Sequence, residues 1–129
     1  MAVTNNEQMV DFPDLVIDTD AGATAVRHVF RNSAIGNSLQ LNDLHVINTT
    51  GGAGAATVYL RIYDSLDPVV GTTDPEIIIM CPHGTATSVA IDNGIDIDLN
   101  VSYAVVQDAG TSGATAPGTT VTVHLQGSR

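Results

Sequence analysis

The sequence predicts an all-β protein, an antiparallel β-sandwich or jelly roll of about eight strands, on three observations. Thr, Val and Ile supply 40 of the 129 residues, and their stiff, branched side chains suit a pleated surface better than a helix. No window carries a sustained i, i+3, i+4, i+7 apolar stripe, so little or no helix is expected. Short apolar runs recur at roughly 8–12-residue spacing between Gly, Pro and Asp turns, the pattern of a sandwich rather than of a parallel sheet.

The elements follow in order. Leu15 to Asp18 is a short run stopped by Asp20-Ala21-Gly22. Ala25 to Arg31 places Val26, His28 and Phe30 on one face and Arg27 and Arg31 on the other. Leu39 to Ile47 is apolar at Leu39 and Leu41, then at Leu44 and Val46, so its alternation slips across Asn42-Asp43. A slip of one residue predicts a β-bulge. Thr49 to Gly54 is a Gly-rich connection. Thr57 to Asp64 is the cleanest strand, with Val58, Leu60 and Ile62 on one face and Tyr59, Arg61 and Tyr63 on the other, a period of two that marks a half-buried strand.

A turn region from Asp64 to Pro75 leads to the apolar run Ile77 to Cys81, closed by Pro82-His83-Gly84. Ala86 to Ile91 is the next strand. Asp92-Asn93-Gly94 then predicts a hairpin, because Asn-Gly accepts the positive φ angles of a type I′ turn; Ile95, Ile97 and Leu99 alternate beyond it. Ser102 to Gln107 runs into a Gly/Ser/Thr loop ended by Ala116-Pro117-Gly118. Thr119 to Leu125 closes the fold, with Val121, Val123 and Leu125 facing inward and His124 outward.

At 129 residues the chain reads as one domain, residues 14–129, long enough to bury roughly two-thirds of its unfolded surface. Residues 1–13 read as an N-terminal arm. Thr4 to Gln8 is polar and unpatterned, and the apolar Met9, Val10 and Phe12 are too few for a core of their own, so the segment stays loose unless a neighbouring subunit orders it.

Charge excludes two partner classes. Fourteen acidic residues face four arginines and no lysine, for a net charge of −10. Arg27, Arg31, Arg61 and Arg129 cannot form the basic stripe a nucleic acid requires, and an anionic membrane repels the chain. No apolar run reaches the ~18 residues of a spanning helix, and no secretory leader pattern opens the sequence. The triplets at Asn48 and Asn100 therefore carry no glycosylation signal. Cys81, the single cysteine, forms no intrachain disulfide; its apolar surroundings predict a buried thiol.

No arrangement predicts catalysis, a cofactor or a metal. Asp18/Asp20 and Asp96/Asp98 each place two carboxylates on one strand face, within reach of a hard cation, but without the repetition of a calcium loop; a solvated outer face accounts for them. The four histidines, His28, His45, His83 and His124, lack metal-ligand spacing, although His28 and His45 would meet, and suit zinc, if their strands paired. Gly51-Gly52-Ala53-Gly54 lacks the Lys-Ser/Thr of a phosphate loop. No Gly-x-Ser-x-Gly elbow occurs. With no tryptophan and three tyrosines, a sugar-stacking platform is not indicated.

The second half carries a resemblance. Tyr63-Asp64, then Asp67-Pro68-Val69-Val70-Gly71-Thr72-Thr73-Asp74-Pro75, resembles a Tyr-Asp … Pro-x-Val-Gly-Thr … Pro signature of small virion proteins of tailed bacteriophages and prophages. Pro82-x-Gly84, Gly94-Ile95-x-Ile97, the Ser102 to Val105 strand and Val121-Thr122-Val123 extend it, over about residues 57 to 125. The resemblance implies a non-enzymatic decoration or cement protein on the outside of a phage head, made in the host cytoplasm. It implies the major capsid protein as partner and a homotrimer on local threefold axes. In that setting Met9, Val10, Phe12 and Leu15 form the interface, and shell stability rises by mass action. A receptor- or carbohydrate-binding module of a head or tail fibre, presenting the Ala109 to Gly118 loop, is the alternative.

Overall fold

The computed structural model describes residues 16–18, 26–28, 39–65, 67–97 and 101–128. The arm, with Met9, Val10 and Phe12, lies outside them, as does Leu15. Among the described residues every regular element is a strand: β1 (Val16–Asp18), β2 (Val26–His28), β3 (Leu39–Asn48), β4 (Val58–Asp64), β5 (Ile77–Cys81), β6 (Thr85–Ile97), β7 (Val101–Val106) and β8 (Val121–Ser128).

They form two four-stranded antiparallel sheets, β1-β8-β3-β6 and β2-β7-β4-β5. The pairs are nested: β1 with β8, β2 with β7, β3 with β6 and β4 with β5. Successive pairs alternate between the sheets, as though one long hairpin had been rolled up. That connectivity is a jelly roll.

The core lies between the inner faces. From the first sheet come Leu41, Leu44 and Val46 of β3 and Val121, Val123 and Leu125 of β8; the second contributes Val58, Leu60 and Ile62 of β4 and Val101, Tyr103 and Val105 of β7. Cys81 is fully buried beside them, its Sγ 3.5 Å from the carbonyl oxygen of Val46 and 3.4 Å from that of Thr85. Fully burying each aliphatic side chain contributes about 1.5–3 kcal/mol, and the branched residues gain this in the extended backbone they favour.

The bulge at Asn42 is present. Leu41 pairs with Gly127 and Asp43 with Gln126, leaving Asn42 as the extra residue that lets both Leu41 and Leu44 face the core. The hairpin expected at Asp92-Asn93-Gly94 is not. Leu41 pairs with Ile95 and Asp43 with Ala90, so Ile91 to Gly94 bulge against Asn42 within one 13-residue strand. Gly94 takes the positive φ of 72° that the turn signal offers. Pairing with β3 on both sides of the excursion keeps the strand in the same sheet, so the chain does not reverse.

The outer faces of the two sheets differ. Arg61 and Tyr63 alternate away from the core, as expected, yet both are fully buried, together with Ser102, Ala104 and Val106 of β7. Two loops cover them. Arg61 Nη1 donates to the carbonyl oxygen of Gly113 at 2.8 Å, and Nη2 donates to those of Ser112 at 2.8 Å and Asp108 at 3.0 Å. Gln107 donates to Ala116 O from its side chain and to Thr115 O from its backbone, and Ser102 Oγ donates to Ser65 O. The 107–120 loop touches its neighbours where only glycine fits: Gly71 lies against Gly113, and Gly118 against Gly54.

Asp108 completes this layer. Its Oδ2 accepts from the Thr115 backbone N–H at 2.6 Å, and its Oδ1 accepts from the Thr115 hydroxyl at 3.3 Å. These bonds hold its carboxyl below the ordinary value of 3.8, the backbone bond contributing most and the Arg61 charge adding to it. A hydrogen-bonded carboxylate favours its charged form.

Candidate functional site: an open histidine groove

The outer face of the first sheet carries the candidate site. Leu44, Val46, Val123 and Leu125 point into the core, so strand alternation turns His45 and His124 to the opposite side. The β3–β8 register sets these histidines directly across from each other, and the β3–β6 register sets Ser88 across from His45. One row therefore crosses three strands, Ser88–His45–His124; the adjoining row is Ala90–Asp43–Gln126.

Directly opposed side chains in an antiparallel pair start about 4.5–5.5 Å apart at Cβ, close enough for rings to meet. The imidazoles stack with centroids 5.4 Å apart and planes inclined by 29°. They line a groove of about 300 Å³ with Asp43, Ser88 and Gln126. Ala86 and Ala90, two residues either side of Ser88, are exposed and small, which leaves the β6 side of the groove low.

Ser88, His45 and Asp43 are the residue types of an acyl-transfer triad, but among the described residues no hydrogen bond links Ser88 to His45 or His45 to Asp43. The rings instead offer nitrogen donors and acceptors to whatever enters from the open side. Among the described residues no group of three or more His, Cys, Asp or Glu is placed to hold a metal ion.

Other candidates separate. His28 lies in β2 and His45 in β3, strands of opposite sheets, so the imagined His28–His45 meeting does not occur; His124 takes the place beside His45. His83 is exposed in the β5–β6 turn. Asp18 lies in β1 and Asp96, exposed, in β6, whereas Asp20 and Asp98 fall outside the described residues. No helix among the described residues is long and apolar enough to cross a membrane.

Two groups are not legible in the sequence. Outward alternation marks His45 and His124 separately, but only the adjacency of the third and last strands joins them. Arg61 reads as an ordinary solvent-facing cation, and only the loop folded over it reveals a latch. Comparison with family models, curated proteins and solved structures finds no significant match for this chain.

Proposed function

We infer that the chain is a non-enzymatic structural module, a decoration or cement protein of a tailed-phage head that docks on the outside of the shell. The observation that carries the reading is the contrast between its faces. The loop that a carbohydrate-binding module would present is tied down by three of its own carbonyls on Arg61. Tyr63 and Tyr103 are fully buried and Tyr59 is half-buried, so the described residues offer no exposed tyrosine on which a sugar could stack. A rigid sandwich with one armoured face and one open face suits permanent docking.

Jelly rolls serve viral coats and lectins alike, so topology is compatible with the decoration reading and with a glycan-binding fibre module. The implied partners are the major capsid protein and two further copies of the chain, with the Met9 to Leu15 segment as the contact. The net charge of −10 favours a partner surface with basic character.

Light scattering after size-exclusion chromatography tests this on the full chain and on a chain lacking residues 1–13. A trimer that dissociates without the arm supports the reading. A monomer in both removes self-assembly, and saturable binding to a glycan array would replace decoration with the fibre-module reading.

A further inference from the structure

We propose that His45 and His124 form a binding site for one late first-row divalent ion, Zn²⁺, Cu²⁺ or Ni²⁺, on the outer face of the first sheet. Such a site goes beyond the decoration reading and does not depend on it. Two imidazoles on adjacent strands, in direct register, are already stacked at 5.4 Å and 29°. Direct register fixes where the two side chains leave the sheet, so only their own torsions remain to be set when they bind an ion. Ring nitrogens on the groove side converge on a common point by rotation about χ2, a broad torsion for histidine.

The surroundings select the class of ion. Imidazole suits zinc, copper and nickel, whereas calcium and magnesium require a set of oxygen ligands. Asp43 is the one carboxylate lining the groove among the described residues. It lies two residues from His45 on the same face, about 7 Å along the strand, where it attracts the ion. Gln126 and Ser88 flank the histidines, and solvent occupies the other coordination positions. The net charge of −10 raises the local concentration of cations. Binding is simple coordination: each neutral ring nitrogen donates its lone pair, a protonated ring first releases its proton, and no bond is broken or electron transferred.

Isothermal calorimetry with Zn²⁺ tests the proposal on the full chain and on three variants, His45→Gln, His124→Gln and His83→Gln. The wild type and His83→Gln take up one equivalent, and affinity falls roughly tenfold or more in each of the other two. Ca²⁺ gives no saturable signal at this site. A measurement on the wild type alone covers the case in which a variant fails to fold: paramagnetic Cu²⁺ broadens the ring-proton signals of His45 and His124 before those of His28 and His83. Absence of a saturable Zn²⁺ equivalent, unchanged affinity in the His45 and His124 variants, or broadening that begins at His28 or His83 overturns it.

Discussion

The guanidinium of Arg61 donates to the carbonyl oxygen of Gly113 at 2.8 Å across 52 positions of sequence. One strand thereby holds the loop that precedes the last strand. A single planar fork organises three carbonyls, at Asp108, Ser112 and Gly113, which a flexible ammonium does not match.

Removing that fork exposes its worth. Arg61→Met leaves three inward-turned carbonyls without their donor, and hydrogen bonds to charged groups contribute about 1.5–3 kcal/mol each, non-additively. A loss of roughly 3 kcal/mol is expected from the urea midpoint, with Arg61→Lys intermediate. Hydrogen exchange of the Gln107 amide, which donates to Thr115 O, accelerates in step. A variant as stable as the wild type sinks the latch.

Glycine is required at the contact between the 49–57 and 107–120 loops. A Cβ on Gly118 would clash with the carbonyl oxygen of Gly54 and stand 2.7 Å from its carbonyl carbon, and backbone cannot swing aside as a side chain can. Gly118→Ala is expected to cost about 1–3 kcal/mol, as overpacking does. Gly84→Ala is the control. Its Cβ enters open space, so only the φ of +82° opposes it, at about 1 kcal/mol. Thermal unfolding of the two variants should rank Gly118→Ala as the worse.

Asp108 gives the latch a pH dependence with a definite sign. Its carboxyl is held below the ordinary value of 3.8 in the folded chain, so the unfolded chain takes up the proton more readily. The stability it contributes is complete above the ordinary carboxylate range and is lost as pH falls below 3.8 toward the folded value. Urea midpoints of wild type and Asp108→Asn should therefore differ most near about pH 6 and converge toward about pH 3. Parallel curves across that range contradict the assignment.

Cys81 should behave as a core residue and not as a reactive thiol. With no exposed surface and its sulfur among the carbonyls of Val46 and Thr85, it offers a thiol reagent no access. One thiol per chain is expected to titrate in denaturant and essentially none in buffer. Rapid labelling of the native protein would contradict its placement.

The class of the fold and most of its strands are legible in the amino-acid pattern alone. Val58, Leu60 and Ile62 alternate inward as their spacing demands, Val121, Val123 and Leu125 do likewise, and the slip at Asn42-Asp43 is a bulge. These features follow from local physics: a strand has a period of two, and a branched apolar residue on one face needs a core. Tertiary structure decided whatever depended on which strand lies beside which. Asp92-Asn93-Gly94 carries the local chemistry of a turn, but pairing with β3 on both flanks absorbs it as a bulge. Arg61 and Tyr63 carry an outward pattern, but loops from distant sequence close over them. His45 and His124 stand 79 positions apart in the sequence, and only the rolling of the long hairpin, which seats the last strand against the third, stacks one ring on the other.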